Sequence, residues 1–126
     1  VWGWVRYLER DALMSEHQIQ VSIISYLDRV LPATIRAVGV SNNPRSAIAG
    51  AKEKARGMRK GFPDILLTGA FHGLLEVKQE GSYLRKEQKE WRDFLASQQV
   101  PVAVVRSIED VRETLSGWGI RTREAA

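Results

Sequence analysis

Apolar positions recur along this chain at two periods, and the switches between them mark its elements. Ile19, Ile23, Tyr26 or Leu27, and Val30 fall at helical spacing behind the capping-box sequence Ser15-Glu16-His17-Gln18. A helix is therefore predicted from Glu16 to about Leu31, ended by Pro32. Thr34 to Val40 reads as a first strand through Ile35, Val38 and Val40, closed by the turn-forming Asn42-Asn43-Pro44. Ile65 to Thr68 and Leu74 to Gln79 are β-prone runs separated by Gly69-Ala70-Phe71-His72-Gly73, a hairpin signal. A helix from about Arg85 to Gln98 follows, with Leu84, Gln88, Trp91 and Leu95 along one side. Val100 to Val105 is a continuous apolar run fit for a buried strand, and Ser107 caps a last helix carrying Ile108, Val111 and Leu115. The order predicts an α/β domain with a central mixed β-sheet flanked by helices.

Arg45 to Lys60 differs from these amphipathic segments. It holds Arg45, Lys52, Lys54, Arg56, Arg59 and Lys60 against a single acid, Glu53. Ala47, Ala51, Ala55 and Met58 form one helical stripe, expected to pack, while Arg45, Lys52, Arg56 and Arg59 fall on another that projects. Gly50 and Gly57 weaken the helix. A charge run is ordinarily a solvated face. Its position just before Gly61-Phe62-Pro63-Asp64 favours phosphate contacts beside a reaction centre.

Composition narrows the classes. The 126 residues suit one domain, and the absence of cysteine excludes disulfides and thiolate metal sites. A net charge of +4 and a pI near 9.7 favour an anionic partner, nucleic acid before membrane surface. No apolar run is long enough to span a bilayer, and the expectation is a soluble cytoplasmic protein. Val1 to Leu13 matches no periodic template well; with Met14 read as a start, residues 1–14 form an extension, 15–119 the domain, and 120–126 a loose tail.

The chemistry concentrates between Gly61 and Gln88. A hairpin centred near Phe71 sets Asp64 roughly opposite Lys78, with Glu76 its diagonal neighbour, on the face away from Leu75 and Val77. Asp64, Glu76 and the backbone carbonyl of Val77 are hard oxygen donors suited to Mg²⁺ or Mn²⁺. Lys78 positions or deprotonates a water, Gln88 hydrogen-bonds that water or a metal-bound ligand, and Glu16 approaches from the first helix. Each piece also has a plain structural reading. Asp64 can simply start a strand, Glu76 and Lys78 can be a solvated pair, and Glu16 is favoured by the helix dipole alone. His17 and His72 read as surface residues and Trp91 as core. Tyr83 and Arg85 beside the site are candidate DNA contacts, joining Arg45, Lys52, Arg56, Arg59 and Lys60.

As a set, Gly61-x-Pro63-Asp64, Glu76-x-Lys78, Gln88 within Leu84-Arg-Lys-Glu-Gln88-Lys-Glu-Trp91, and the helical Glu16 resemble the VRR-NUC domain of the PD-(D/E)XK nuclease superfamily. The resemblance covers roughly Ser15 to Trp118 and implies a restriction-endonuclease-like core and a metal-dependent DNA endonuclease. It implies Asp64 and Glu76 as metal ligands, Lys78 as the catalytic lysine, Gln88 as the helix glutamine and Glu16 as an auxiliary acid. Short standalone members, common in phages and bacteria, are associated with branched DNA such as Holliday junctions and tend to be homodimers. Asn42-Asn43-Pro44-Arg45 departs from the more glycine-containing turn of many members. The alternative is a catalytically weak DNA-binding or scaffold module, or a nuclease subunit needing a replication or repair partner. Two carboxylates facing polyanionic DNA argue against binding alone.

Overall fold

The computed structural model describes residues 13–41 and 46–124. Residues 1–12, residues 42–45 with the candidate contact Arg45, and residues 125–126 lie outside them. Helix α1 spans Glu16–Val30. Its capping box is formed: the Ser15 Oγ accepts from Gln18 N at 3.1 Å and the Ser15 N donates to Gln18 Oε1 at 2.9 Å. Strand β1 (Ile35–Gly39), helix α2 (Ala47–Ala55), β2 (Ile65–Gly69), β3 (Gly73–Val77), α3 (Lys86–Ser97), β4 (Val102–Val105) and α4 (Ile108–Gly117) follow. The strands make one mixed sheet in the order β1-β2-β3-β4, antiparallel except for the parallel β3–β4 pair.

Alternation along the strands sends Ile35, Ile65, Leu67, Leu75, Val77 and Val105 into one core with Ile23 and Leu27 of α1 and Val111 and Leu115 of α4. The opposite face carries Leu74 and Glu76, both buried, and α3 crosses it. Among the described residues no helix is long and apolar enough to cross a membrane.

Four expectations change. The hairpin register is displaced by two residues: Ile65 pairs with Leu75 and Leu67 with Gly73, so the ladder leads to Asp64 beside Glu76 instead of Lys78. The reason is that Thr68 and Gly69 extend β2 along β1, pairing with Arg36 and Ile35, and do not pair with β3. An even shift preserves each side chain's face, so the site survives it. The alanine stripe of α2 does not pack: Ala47, Ala51 and Ala55 are exposed, no residue of this helix is buried, and Gly57 ends the segment at φ +104°. The run at Val102–Val105 is half-buried at the sheet edge, with only Val105 fully covered.

The fourth is the tail, which is docked through Glu124. Arg123 N donates to Val30 O at 2.8 Å. The Tyr26 hydroxyl donates to Glu124 Oε2 at 2.6 Å, and Arg112 donates to both carboxylate oxygens at 3.1 and 2.8 Å. The Arg112 bonds, then the Tyr26 bond, hold the Glu124 carboxyl down at about 2 from an ordinary 4.5. A depressed carboxylate contributes stability above its unfolded value that is lost as pH falls through the folded one. The melting-temperature gap between wild type and Glu124→Gln is therefore expected in full at about pH 6 and to close between 4.5 and about 2.

Candidate active site

The site is built where β2 begins and β3 ends. Gly61 makes it possible, because its φ of +84° favours glycine and a Cβ there would meet the Glu87 carbonyl carbon at 2.6 Å. That close approach brings the loop before β2 against the first turn of α3. Phe62 then meets Trp91 edge-on at 5.0 Å between ring centroids, and Pro63 is fully buried behind it. Trp91 is thus half-buried and acts as a clamp between loop and helix.

Asp64 leaves this loop with its backbone committed at both ends. Its N–H donates to Leu75 O at 3.1 Å and its carbonyl accepts from Val40 N at 2.8 Å. The side-chain Oδ2 accepts from Val77 N at 2.7 Å. Asp64 therefore grips the main chain between Glu76 and Lys78.

Glu76 and Lys78 are each only 4% exposed, which excludes the reading of a solvated surface pair. Gln88, 6% exposed, donates from Nε2 to Glu76 Oε1 at 2.9 Å and accepts the Arg85 N–H on Oε1 at 2.8 Å. Its amide is engaged at both ends, and Gln88 orients Glu76, the carboxylate that the sequence offers as a metal ligand. The same Arg85 bond caps the start of α3, which couples helix capping to carboxylate position. Glu16, half-exposed in the first turn of α1, sits 4.0 Å from the Lys78 Nζ. Glu16 is placed as the ion-pair partner of Lys78, and its charge also reaches Glu76.

Burial pushes the Glu76 carboxyl up to about 9, the Asp64 charge adds to the rise, and Lys78 opposes it. Two close carboxylates, one dry, form an oxygen donor set that a divalent cation relieves, so the residues fit Mg²⁺ or Mn²⁺. Among the described residues no group of three or more His, Cys, Asp or Glu that could hold a metal ion is found, and Glu16 lies against Lys78. Any further donors would come from the main chain, substrate and water.

The candidate DNA contacts divide. Lys52, Arg56, Arg59 and Lys60 are exposed on α2 and the segment leading into Gly61, with Arg56 paired to Glu53 and Lys60 3.7 Å from Glu87. Tyr83 and Arg85 are exposed in the loop that leads into α3. Lys89, Arg92 and Arg106, not among the residues singled out above, line a cleft with Tyr83. The helical spacing of Arg85, Lys89 and Arg92 was the available signal.

The VRR-NUC domain family profile matches residues 10–109. Among solved structures, one described as a VRR_NUC domain protein has a TM-score of 0.62 at 23% identity, covering 82% of this chain and 87% of that one. No curated protein matches the chain. The four-stranded mixed sheet and its flanking helices are accordingly the PD-(D/E)XK-like fold of that structure.

Proposed function

The chain belongs to the VRR-NUC family of nuclease domains, and from that premise we propose that it is a DNA endonuclease using Mg²⁺ or Mn²⁺, directed by branched structure. The observation that carries the reading is the convergence of Asp64, Glu76 and buried Lys78 at one end of the sheet. Solvation alone gives no reason to bury a lysine beside two carboxylates.

In this reading Asp64, Glu76 and the Val77 carbonyl hold the metal. Bound there, it supplies Lewis acidity at the phosphate and a water acidic enough to attack near neutral pH. Lys78 offers N–H donors to the phosphate oxygens and the incoming water. Gln88 keeps Glu76 aimed, and Glu16 holds the Lys78 ammonium in place. Lys52, Arg56, Arg59 and Lys60, with Arg45 and Arg85, neutralise flanking phosphates. One site cuts one strand, so symmetric cuts across a Holliday junction need two copies, and a homodimer is part of the proposal.

The test is cleavage of a labelled four-way junction beside matched linear duplex, with Mg²⁺, with Mn²⁺ and with chelator. Metal-dependent cutting of the junction in preference to the duplex is the expected result. Equal cutting of both keeps the nuclease and removes the junction preference. Binding without cutting under every condition replaces the enzyme with the scaffold or partner-dependent subunit.

A further inference from the structure

Helix α3 separates two unlike flanks. On the side of Lys60 it presents Glu87, Glu90, Trp91 and Phe94, an apolar pocket carrying two carboxylates. On the other side a cleft of about 350 Å³ is lined by Tyr83, Leu84, Lys89, Arg92, Val104 and Arg106. Three cations and no carboxylate line this second cleft, so it attracts an anion more strongly than the first, where Glu87 and Glu90 offset Lys60.

The cleft adjoins the reaction centre. Glu76 pairs with Val104 across the parallel β3–β4 ladder, and Lys78 N donates to Val105 O at 3.0 Å. Counting that register onward puts Arg106 beside Lys78, one strand away, a spacing of about 4.8 Å. Arg106 Nη2 donates to Ser82 O at 2.8 Å, which ties the loop bearing Tyr83 to the end of β4. A guanidinium has five N–H donors, so this bond leaves others for a phosphate. Arg92 makes its other contact with the exposed Asp93 at 3.1 Å, a surface pair that competes weakly with a polyanion. Tyr83 itself is 84% exposed and contributes no burial to the fold.

An open aromatic ring beside three cations is the chemistry of single-strand recognition, stacking for the base and charge for the backbone. We propose that this cleft takes an unpaired stretch of the substrate strand next to the cut, one base stacked on Tyr83 and the flanking phosphates on Lys89, Arg92 and Arg106. The inference rests on the nuclease reading for its substrate, and it supplies a physical origin for selecting branched DNA. A paired base is already stacked on its neighbours and gains nothing from Tyr83, whereas a base freed at a branch does.

The test compares two labelled DNAs of one sequence, a full duplex and the same duplex with one arm splayed into unpaired nucleotides. Binding is read by fluorescence anisotropy in chelator and cleavage is read with Mn²⁺. Tyr83→Ala is expected to weaken binding of the splayed DNA by about 5- to 100-fold and to leave the duplex within about twofold. Tyr83→Phe, which keeps the stacking face, is expected to restore it. The Lys89→Ala/Arg92→Ala pair is expected to lower the salt slope on splayed DNA by about 1 to 2. Unchanged binding by Tyr83→Ala, or equal loss on both DNAs, overturns the proposal, as does a cleft that prefers an acidic peptide to splayed DNA. Tyr83-dependent binding without cleavage by wild type sinks the nuclease reading and leaves the cleft standing. Cleavage that ignores Tyr83 does the reverse.

Discussion

Replacing Glu76 by Gln is expected to abolish cleavage and, in the same molecule, to raise the melting temperature of the metal-free protein. Both effects follow from one fact: a carboxyl that is 4% exposed lies beside Asp64. Burial first, and the Asp64 charge second, raise Glu76 from 4.5 to about 9. A carboxylate raised in the folded state contributes stability that is whole below its unfolded value and is lost as pH climbs toward the folded one. Across that window the metal-free wild type becomes less stable with rising pH. By about pH 7 the penalty has a ceiling of roughly 3 kcal/mol at 1.36 kcal/mol per unit.

Gln keeps the acceptor for the Gln88 Nε2 bond and carries no charge, so it escapes this penalty. A gain of about 5–10 °C near pH 8 that disappears below about pH 4.5 is the expected profile. With metal the order reverses. Mn²⁺ stabilises whatever state binds it, so it raises the wild-type melting temperature and leaves the variant nearly unmoved. Cleavage falls by about 10³-fold, as loss of metal-supplied Lewis acidity requires. A variant that is less stable than wild type without metal at pH 8 would show that Glu76 is not held as a strained, buried carboxyl. A variant that retains its metal shift would remove Glu76 from the ligand set.

How much of this was legible in the sequence depends on the kind of interaction. The capping box at Ser15 and the helix cap at Ser107 are local, and local chemistry is written in adjacent residues. The grouping of Asp64, Glu76 and Lys78 was legible because strand alternation is insensitive to a shift of two. Their exact partnering was not, since it depended on Thr68 and Gly69 choosing β1 over β3, a competition between strands distant in sequence. Burial of Glu76 and Lys78 was illegible for a related reason: charged residues at alternate strand positions read as a wet face until α3 and Gln88 are known to cover them. The alanine stripe of α2 misled in the opposite sense, because small residues favour a helix without specifying a partner. The tail carried no periodic signal, and its docking rests on the Glu124 carboxylate meeting Tyr26 and Arg112.

Lys78→Met separates metal binding from chemistry, and the expected outcome is a protein that binds Mn²⁺ at least as well as wild type and cuts about 10²- to 10⁴-fold more slowly. Lys78 is buried to the same degree as Glu76, and Glu16, a half-exposed partner, lies 4.0 Å from its Nζ. A buried ammonium whose ion-pair partner Glu16 is half-exposed costs desolvation that this pair does not fully return. Met has a similar length and no charge, so the fold is expected to be unharmed or slightly more stable. The metal position loses a neighbouring cation, and its affinity is expected to hold or rise. What disappears is a donor aimed at the reacting oxygens, so kcat falls while KM, carried by the basic surfaces elsewhere, changes little. Lys78→Arg is not expected to rescue, because a planar guanidinium is bulkier and cannot give up its proton near neutral pH. The checks are single-turnover cleavage and the Mn²⁺-induced melting shift, measured on the same preparations. Loss of the melting shift together with cleavage would place Lys78 in the structural support of the metal site instead of in the chemistry. Retention of fast cleavage by Lys78→Met would leave Asp64 and Glu76 to act without it.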